Sequence, residues 1–388
     1  MSQKEELIRR FSGAMCGLAV GDAWGWQTSR LTPHEVSERQ QYIEQQKHSE
    51  GHLHSGVTTW MLCVLEELIC GGPGKTLQAN LVARLRALNG AGRGRALRGA
   101  PQSLGTTLRH VAQELDKEPA PSFCGTDTVT AEIVPAMLPF GFALGDAPDD
   151  VGRGLLQAIL TTHRNPQTVA AAAYFVGGVR SLCRSLVLKP DLRDEPVPMQ
   201  NILNEALAFQ ENTFRIWKSH KSDLPGSMSQ AEGAVQLIHL QALQAEHYLF
   251  LAPPDGLDGR DDPVRLAATA LLAALLPSSE VAEAFKHLSQ RGGDSEILFP
   301  MIGAVVGARL TVNGLPLGWL NALATRARLE KRFGSLFQTP PLYVDDLATC
   351  ELIWSANHGS PNDWASPSKE ADQLQQMNFF MDESTGLP

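Results

Sequence analysis

The amino-acid sequence predicts an all-α protein, folded as one large orthogonal bundle of helices. Apolar residues recur at helical spacing through most of the chain. Runs of alternating β-branched residues, which would indicate β-strands, are lacking. Two stretches rich in small residues, 169–178 and 302–308, offer faces on which helices can pack closely. These three observations favour a helical bundle over a fold that contains a sheet.

Each predicted helix follows a stretch with this apolar spacing and ends near residues that break helices. The first, 5–20, ends at the dipeptide Gly21-Asp22. The second, 60–69, is closed by the glycine- and proline-rich residues 71–74. The other predicted helices, in chain order, are 77–88, 103–115, 128–138, 150–160, 167–186, 201–218, 228–251, 262–275, 279–291, 298–310 and 317–333.

Length and composition indicate one main globular domain. The 388 residues can bury a large core, and a composition of 43% hydrophobic and 19% charged residues argues against global disorder. We assign residues 1–337 to the helical domain. Residues 338–388 are rich in proline, aspartate, serine and asparagine, which predicts a partly irregular C-terminal extension.

Charge and cysteine usage narrow the class of protein further. The net charge is −9 and no basic block is present, which argues against a nucleic-acid-binding protein. The six cysteines are scattered without C-x-x-C spacing, as in proteins of a reducing compartment, so we expect a cytoplasmic protein. The first apolar stretch is broken by Gly17, Gly21 and Asp22, which disfavours export. No segment is expected to span a membrane.

An acidic pair lies ahead of a small, apolar helix near the end of the predicted domain. Asp294 and Glu296 follow a Gly-Gly turn that includes Gly293. A helix N-terminus favours negative charge, because its first N–H groups are free and its dipole is positive there. The pair is therefore either an N-cap with a first-turn acid or a site for a cation or polar ligand.

The segment Gly293-Asp294-Ser295-Glu296-Ile297 resembles the Gly-Asp-Thr-Asp-Thr signature of the ADP-ribosylglycohydrolase family. The small-residue helix that follows, 301–308, matches the family without a gap. Residues 13–25 resemble its opening helix and Gly-Asp-Ala-x-Gly turn, and residues 162–166 resemble its Thr-His-x-x-Pro helix start. The resemblance implies the family's all-α fold, a ribosyl or ADP-ribosyl substrate, and two magnesium ions.

The sequence departs from the family at the residues that hold those ions. The family uses a Thr-Asp-Asp-Thr segment, and the best match here is residues 56–59, where Val57 and Thr58 replace both aspartates. In the second segment Glu296 stands for an aspartate and Ile297 for a threonine. Because magnesium depends on carboxylate ligands, we expect the two-metal centre to be absent.

At most, a single weakly bound metal is expected, at Asp294 and Glu296. His52 and His54 precede the altered segment, and they are interpreted either as part of a solvated loop or as nitrogen ligands of a softer metal. No cofactor is otherwise expected.

Four acids are candidate catalytic residues by resemblance. Asp294 and Glu296 would hold a ribose diol or a water, and Asp127 or Asp22 would assist proton transfer. For Asp127 the alternative is a helix cap, and for Asp22 it is a turn cap. Candidate substrate-binding residues are Trp24, Trp26, Thr58, Thr59, Thr128, Glu132, His163 and Gly293.

The alternative interpretation of these candidate substrate-binding residues is a structural role. The rings of Trp24 and Trp26 suit core packing as well as stacking on a base, and His163 suits a buried, hydrogen-bonded position. Glu132 falls roughly where the family has an arginine, in the stretch that resembles its ribose-contacting segment.

Three functional hypotheses remain open from the sequence. The first is a hydrolase that cleaves the N-ribosyl bond of an ADP-ribosyl or nucleoside-like small molecule, without the two magnesium ions. The second is a repurposed lyase, isomerase or transferase on the same scaffold. The third is a silent relative that binds ADP-ribose or a partner. The sequence indicates no oligomeric state.

Overall fold

The computed structural model describes residues 2–28, 34–35, 54–71, 76–91, 106–117, 125–143, 147–188, 197–220, 228–244, 262–290 and 295–323, with 326 and 329. Within these residues the protein is all-α, as the sequence predicts. They contain no strand, and an isolated β-bridge joins Thr126 to His163. The predicted extension 338–388 lies outside the described residues.

The described α-helices follow one another along the chain. In order they are α1 (Gln3–Thr28), α2 (Gly56–Gly71), α3 (Leu77–Ala91), α4 (Thr106–Lys117), α5 (Pro148–Leu160), α6 (Pro166–Leu188), α7 (Met199–His220), α8 (Met228–Leu243), α9 (Pro263–Leu272), α10 (Val281–Gln290), α11 (Ser295–Leu310) and α12 (Leu317–Ala322). Short 3₁₀ helices also occur, at Pro135–Phe142, Ala273–Leu275, Ser278–Glu280 and Val312–Gly314. Most predicted helices are confirmed to within a few residues.

The predicted end of the first helix is wrong. α1 continues through Gly21 and Asp22 to Thr28. Gly21 does not break the helix, because its missing side chain serves packing: a Cβ atom there would lie 2.1 Å from the carbonyl oxygen of Phe299.

The predicted helix 128–138 is also wrong. Residues 125–131 are not helical, and Pro139 lies inside the 3₁₀ helix Pro135–Phe142 instead of ending a helix. The backbone of this stretch forms hydrogen bonds to the chain around His163 in place of helical ones, so tertiary pairing overrides the local apolar spacing. In the predicted helix 317–333, α12 ends at Ala322.

The two most extensively packed helices among those described are α1 and α11. Gly13 and Gly17 face Gly307 and Gly303, and a Cβ atom on Gly17 would lie 2.0 Å from the carbonyl oxygen of Gly303. Such spacing is possible only where both helices lack side chains. This glycine contact continues to Gly25, which meets Ser295, so the end of α1 is held beside the start of α11.

Helix α6 lies in the core, against α7, α9 and the 3₁₀ helix Pro135–Phe142. Among the described helices it alone is long and apolar enough to cross a membrane, with a mean hydropathy of 1.2. The expectation that no segment has the length and apolarity of a membrane span is therefore wrong. However, 78% of that window is buried inside the protein, as in the core helix of a globular bundle.

Candidate functional site

Asp22 lies at the centre of the candidate site, on a fully buried face of α1. Its Oδ2 atom accepts hydrogen bonds from the backbone N–H of Ser55 (2.9 Å), the N–H of Thr58 (3.0 Å) and the Thr58 hydroxyl (2.6 Å). The carboxyl group therefore caps the N-terminus of α2 from another helix. Burial raises the pKa of Asp22, while His54 and these hydrogen bonds oppose the rise.

The start of α2 is buried together with the residue that precedes it. The Ser55 hydroxyl accepts a hydrogen bond from the Val57 N–H at 3.1 Å, which is a local N-cap contact. The Thr59 hydroxyl lies 3.4 Å from the Ser55 carbonyl oxygen. His54 is only 4% exposed, with Nδ1 3.2 Å from the same carbonyl, so the solvated-loop interpretation is wrong for this histidine. His52 lies outside the described residues.

The first metal-binding segment of the family does not fit a magnesium ion here. The Thr58 hydroxyl donates its hydrogen bond to Asp22, and Val57 offers only a hydrocarbon side chain. The Oδ2 atom of Asp22 is satisfied by these protein donors, whereas its Oδ1 atom has no hydrogen-bond partner among the described residues. No group of three or more His, Cys, Asp or Glu side chains that could hold a metal occurs within the described part of the chain. Asp294 lies outside that part.

We expect the Thr58→Asp variant to be destabilised in EDTA by about 3 kcal/mol, because it places a second carboxylate against Asp22 in a buried position. Magnesium should raise the melting temperature of this variant, since a cation would neutralise the pair. Wild type under the same conditions should show no magnesium-dependent shift. Thermal unfolding followed by circular dichroism measures both, and a variant as stable as wild type in EDTA would contradict the geometry described.

Glu296 lies in the first turn of α11, which confirms its predicted place at a helix N-terminus. Its side chain is half-buried. The neighbouring Ser295 hydroxyl donates to the Gly25 carbonyl at 3.0 Å, so this turn is fixed to the end of α1. Asp294 and Gly293 lie outside the described residues, and so does the side chain of Trp26.

A second part of the candidate site combines two segments that are distant in sequence, residues 126–130 and residues 162–168. The Thr126 N–H donates to the Thr162 carbonyl at 3.0 Å, and the Arg164 N–H donates to the Thr126 carbonyl at 2.9 Å. Further along, the Thr168 hydroxyl donates to the Thr130 carbonyl at 2.7 Å. The segment around residues 126–130 is therefore fixed to the start of α6 and the residues that precede it.

Asp127, the candidate for assisting proton transfer, lies in an exposed position. Its side chain is 65% exposed and forms a two-pronged ion pair with Arg164, at 2.8 and 2.6 Å. Because this stretch is not helical, Asp127 faces solvent, and its carboxylate is committed to Arg164. Thr128 is exposed as well, with its hydroxyl 2.9 Å from that of Thr126.

Glu132, in contrast, is half-buried and held at a helix N-terminus. Its carboxylate accepts a hydrogen bond from the Thr107 N–H at 3.2 Å and a longer one from the Leu108 N–H at 3.5 Å. Burial raises the pKa of Glu132, the contacts with Thr107 and Leu108 oppose this, and the charge of Glu296 raises the pKa further.

His163 is fully buried and neutral at ordinary pH. Its Nδ1 lies 2.9 Å from the Thr162 hydroxyl, which is itself placed to donate to the Ile159 carbonyl at 3.3 Å. The imidazole proton is therefore on Nδ1, which leaves the Nε2 lone pair without a hydrogen-bond partner among the described residues. Burial lowers the pKa of His163 to about 3, so this residue can accept a hydrogen bond but is not an acid catalyst near neutral pH.

Trp24 packs in the core of the protein. It is buried, and its ring stacks on that of Trp319 with centroids 4.4 Å apart and an angle of 22° between the planes. One face of the Trp24 ring is therefore occupied by protein, which favours the core interpretation over stacking on a substrate.

Comparison with known proteins agrees with this fold. The sequence profile of the ADP-ribosylglycohydrolase family matches residues 3–348. The chain belongs to the ADP-ribosylglycohydrolase family. A solved structure described as an ADP-ribosylglycohydrolase-related protein complex is similar over 86% of this chain and 98% of that one, with a TM-score of 0.54 and 20% identity. At that identity the likeness supports the fold alone. No curated protein matches the chain.

Proposed function

We propose that this ADP-ribosylglycohydrolase family member hydrolyses the N-ribosyl bond of an ADP-ribosyl or nucleoside-like small molecule without two magnesium ions. Membership of a glycohydrolase family supports hydrolysis of a glycosyl bond. One observation supports a reaction without the two magnesium ions. Thr58 stands where the family has an aspartate, and its hydroxyl donates a hydrogen bond to Asp22. We place the reaction in the cytoplasm, from the cysteine usage alone.

The remaining acids suit a reaction that builds positive charge on a ribose. Cleavage of an N-ribosyl bond passes through an oxocarbenium-like transition state, which nearby negative charge stabilises. Glu296, at the α11 N-terminus, would provide that charge and orient the attacking water, with Asp294 beside it in sequence.

Asp22 has a positioning role in this proposal. Its Oδ2 atom is occupied by three donors, so it holds the start of α2 in place instead of meeting substrate through that oxygen. Thr58 acts with it, and neither residue performs a proton-transfer step.

The proposal is tested by incubating the protein with ADP-ribosyl and ribosyl compounds and identifying products by mass spectrometry. We expect a free ribosyl product, and a loss in kcat of about 10²-fold or more in Glu296→Gln. Glu283→Gln, which removes an exposed carboxylate on α10, serves as the matched control and should change little. ADP-ribose binding without turnover of any compound would instead identify a silent relative, and a product other than a hydrolysed riboside would identify a repurposed enzyme.

A further inference from the structure

Helix α8 presents a face without charge to the solvent. The helix packs against α6, α7 and α9 with its buried side, and the eight exposed positions between 229 and 244 lie on the other side. They hold four glutamines, two leucines, one glycine and one serine. Roughly 25–35% of the residues on a protein surface usually carry a charge. A helical face that carries none is typical of the centre of a protein interface, where charged residues are depleted.

The middle of this face has the spacing of a contact between two helices. Gly233, Leu237, Leu240 and Gln244 recur at intervals of four, three and four residues, so they form one line along the helix, here called the α8 seam. Leu237 and Leu240 are 59% and 54% exposed. A Cβ atom added to Gly233 would meet nothing within 4 Å. The seam is therefore apolar at its centre and open at its glycine end.

The α8 seam is complementary to a second copy of itself. Consider two copies of α8 that run antiparallel about a two-fold axis between positions 238 and 239. Leu237 then lies opposite Leu240 of the second copy, so the two leucine pairs bury one another. Gly233 lies opposite Gln244 of the second copy, and the missing side chain leaves room for the longer one. Large and small residues are thus matched by the symmetry itself.

Charge favours a second copy of the chain over a partner of another kind. The net charge is −9, so two copies repel one another wherever their charged surfaces meet, and this face avoids that repulsion. The same two-fold axis places Gln236 opposite Gln241 of the second copy, where each amide can both donate and accept a hydrogen bond. We propose that this face of α8 joins two copies of the chain into an antiparallel, two-fold symmetric dimer.

The dimer is small and independent of the proposed hydrolysis. α8 has 16 residues, so it is about 24 Å long. One such helix from each copy buries less than the roughly 1,000 Å² of total area that a stable interface needs. We therefore expect reversible association, with a Kd on the order of 10 μM.

An exchange of charges between the two leucines tests the pairing. Sedimentation velocity at concentrations from about 1 to about 300 μM measures the dimer fraction around the expected Kd. Leu240→Glu and Leu237→Lys should each raise the Kd by about 10-fold or more, because each places a charge against a leucine in the seam. A one-to-one mixture of the two variants should restore the Kd to within about 10-fold of wild type. In the antiparallel pair the introduced glutamate faces the introduced lysine, while the other leucine pair is kept.

Leu317→Glu is the matched control, because Leu317 is a 66% exposed leucine on α12. It should associate as wild type does. Both seam variants should melt at the wild-type temperature in dilute solution, since both leucines are exposed in the single chain. Wild type that stays monomeric throughout, or variants that associate as wild type does, would overturn the proposal. A mixture that fails to associate would overturn the antiparallel pairing. Monomeric wild type with a seam variant of lower melting temperature would show that the same chain covers the face, which also overturns the dimer.

Discussion

Replacing Asp22 with alanine is expected to lower the free energy of unfolding by about 3–5 kcal/mol and to abolish activity. The variant leaves two backbone N–H groups and the Thr58 hydroxyl without their acceptor in a fully buried position. The start of α2 then loses the contact that holds it to α1. Urea unfolding followed by circular dichroism measures the change. A loss below about 1 kcal/mol would mean that other groups hold the start of α2.

The Asp22→Asn variant is the matched control, because its amide oxygen can still accept a hydrogen bond. Burial raises the pKa of Asp22 in the folded protein above that of the unfolded chain, so folding favours the protonated acid. The stability that Asp22 contributes is therefore complete at low pH and is lost as pH rises through the raised pKa. Asparagine does not titrate, so the destabilisation by Asp22→Asn should shrink as pH rises above the ordinary titration range of an aspartate. Destabilisation that grows over this range would contradict the raised pKa.

The Gly303→Ala variant is expected to lose about 3 kcal/mol or more of stability, although alanine is the better helix former. The new methyl group would lie 2.0 Å from the carbonyl oxygen of Gly17, and because this obstacle is backbone, one helix must move. Moving α11 away from α1 also displaces Glu296 from the site, so turnover should fall with stability. Urea unfolding and a turnover assay on the same preparation measure the two effects.

Gly233→Ala gives the control for helix propensity. Gly233 lies within α8, and a Cβ atom added there meets nothing within 4 Å. This variant should gain up to about 1 kcal/mol, because alanine lowers the conformational entropy of the unfolded chain. If Gly303→Ala were as stable as Gly233→Ala, the close contact between α1 and α11 would not exist in solution.

The sequence predicts the helical fold well, because apolar spacing is a local property that each helix carries by itself. It fails at Gly21 for a physical reason. A glycine that breaks a helix and a glycine that admits a neighbouring helix both lack a side chain, so the local sequence does not separate the two. It fails again at the start of the predicted helix 128–138. Thr130 there forms hydrogen bonds with Thr168, and Thr126 just before it forms hydrogen bonds with Thr162 and Arg164.

The candidate site is predicted in part. The resemblance places Asp22 near the site, but its role as a cap comes from contacts with residues 33 and 36 positions away, which no local pattern shows. For the same reason the sequence does not distinguish the environments of Asp127 and Glu132. The two lie on one short segment, and only tertiary packing exposes the first and buries the second. The sequence does show directly that Val57 and Thr58 stand where the family has two aspartates, because the ability to bind a metal depends on residue type.

The most direct test of the central claim compares the rate of riboside hydrolysis by EDTA-treated protein with and without added magnesium, with the metal content measured on the same samples. We expect the chelated protein to retain its full rate, magnesium to leave that rate unchanged, and no stoichiometric magnesium to be bound. Turnover that disappears on chelation and returns with two tightly bound magnesium ions per chain would contradict this claim. The hydrogen bond from Thr58 to Asp22 would then not stand in place of the metal site.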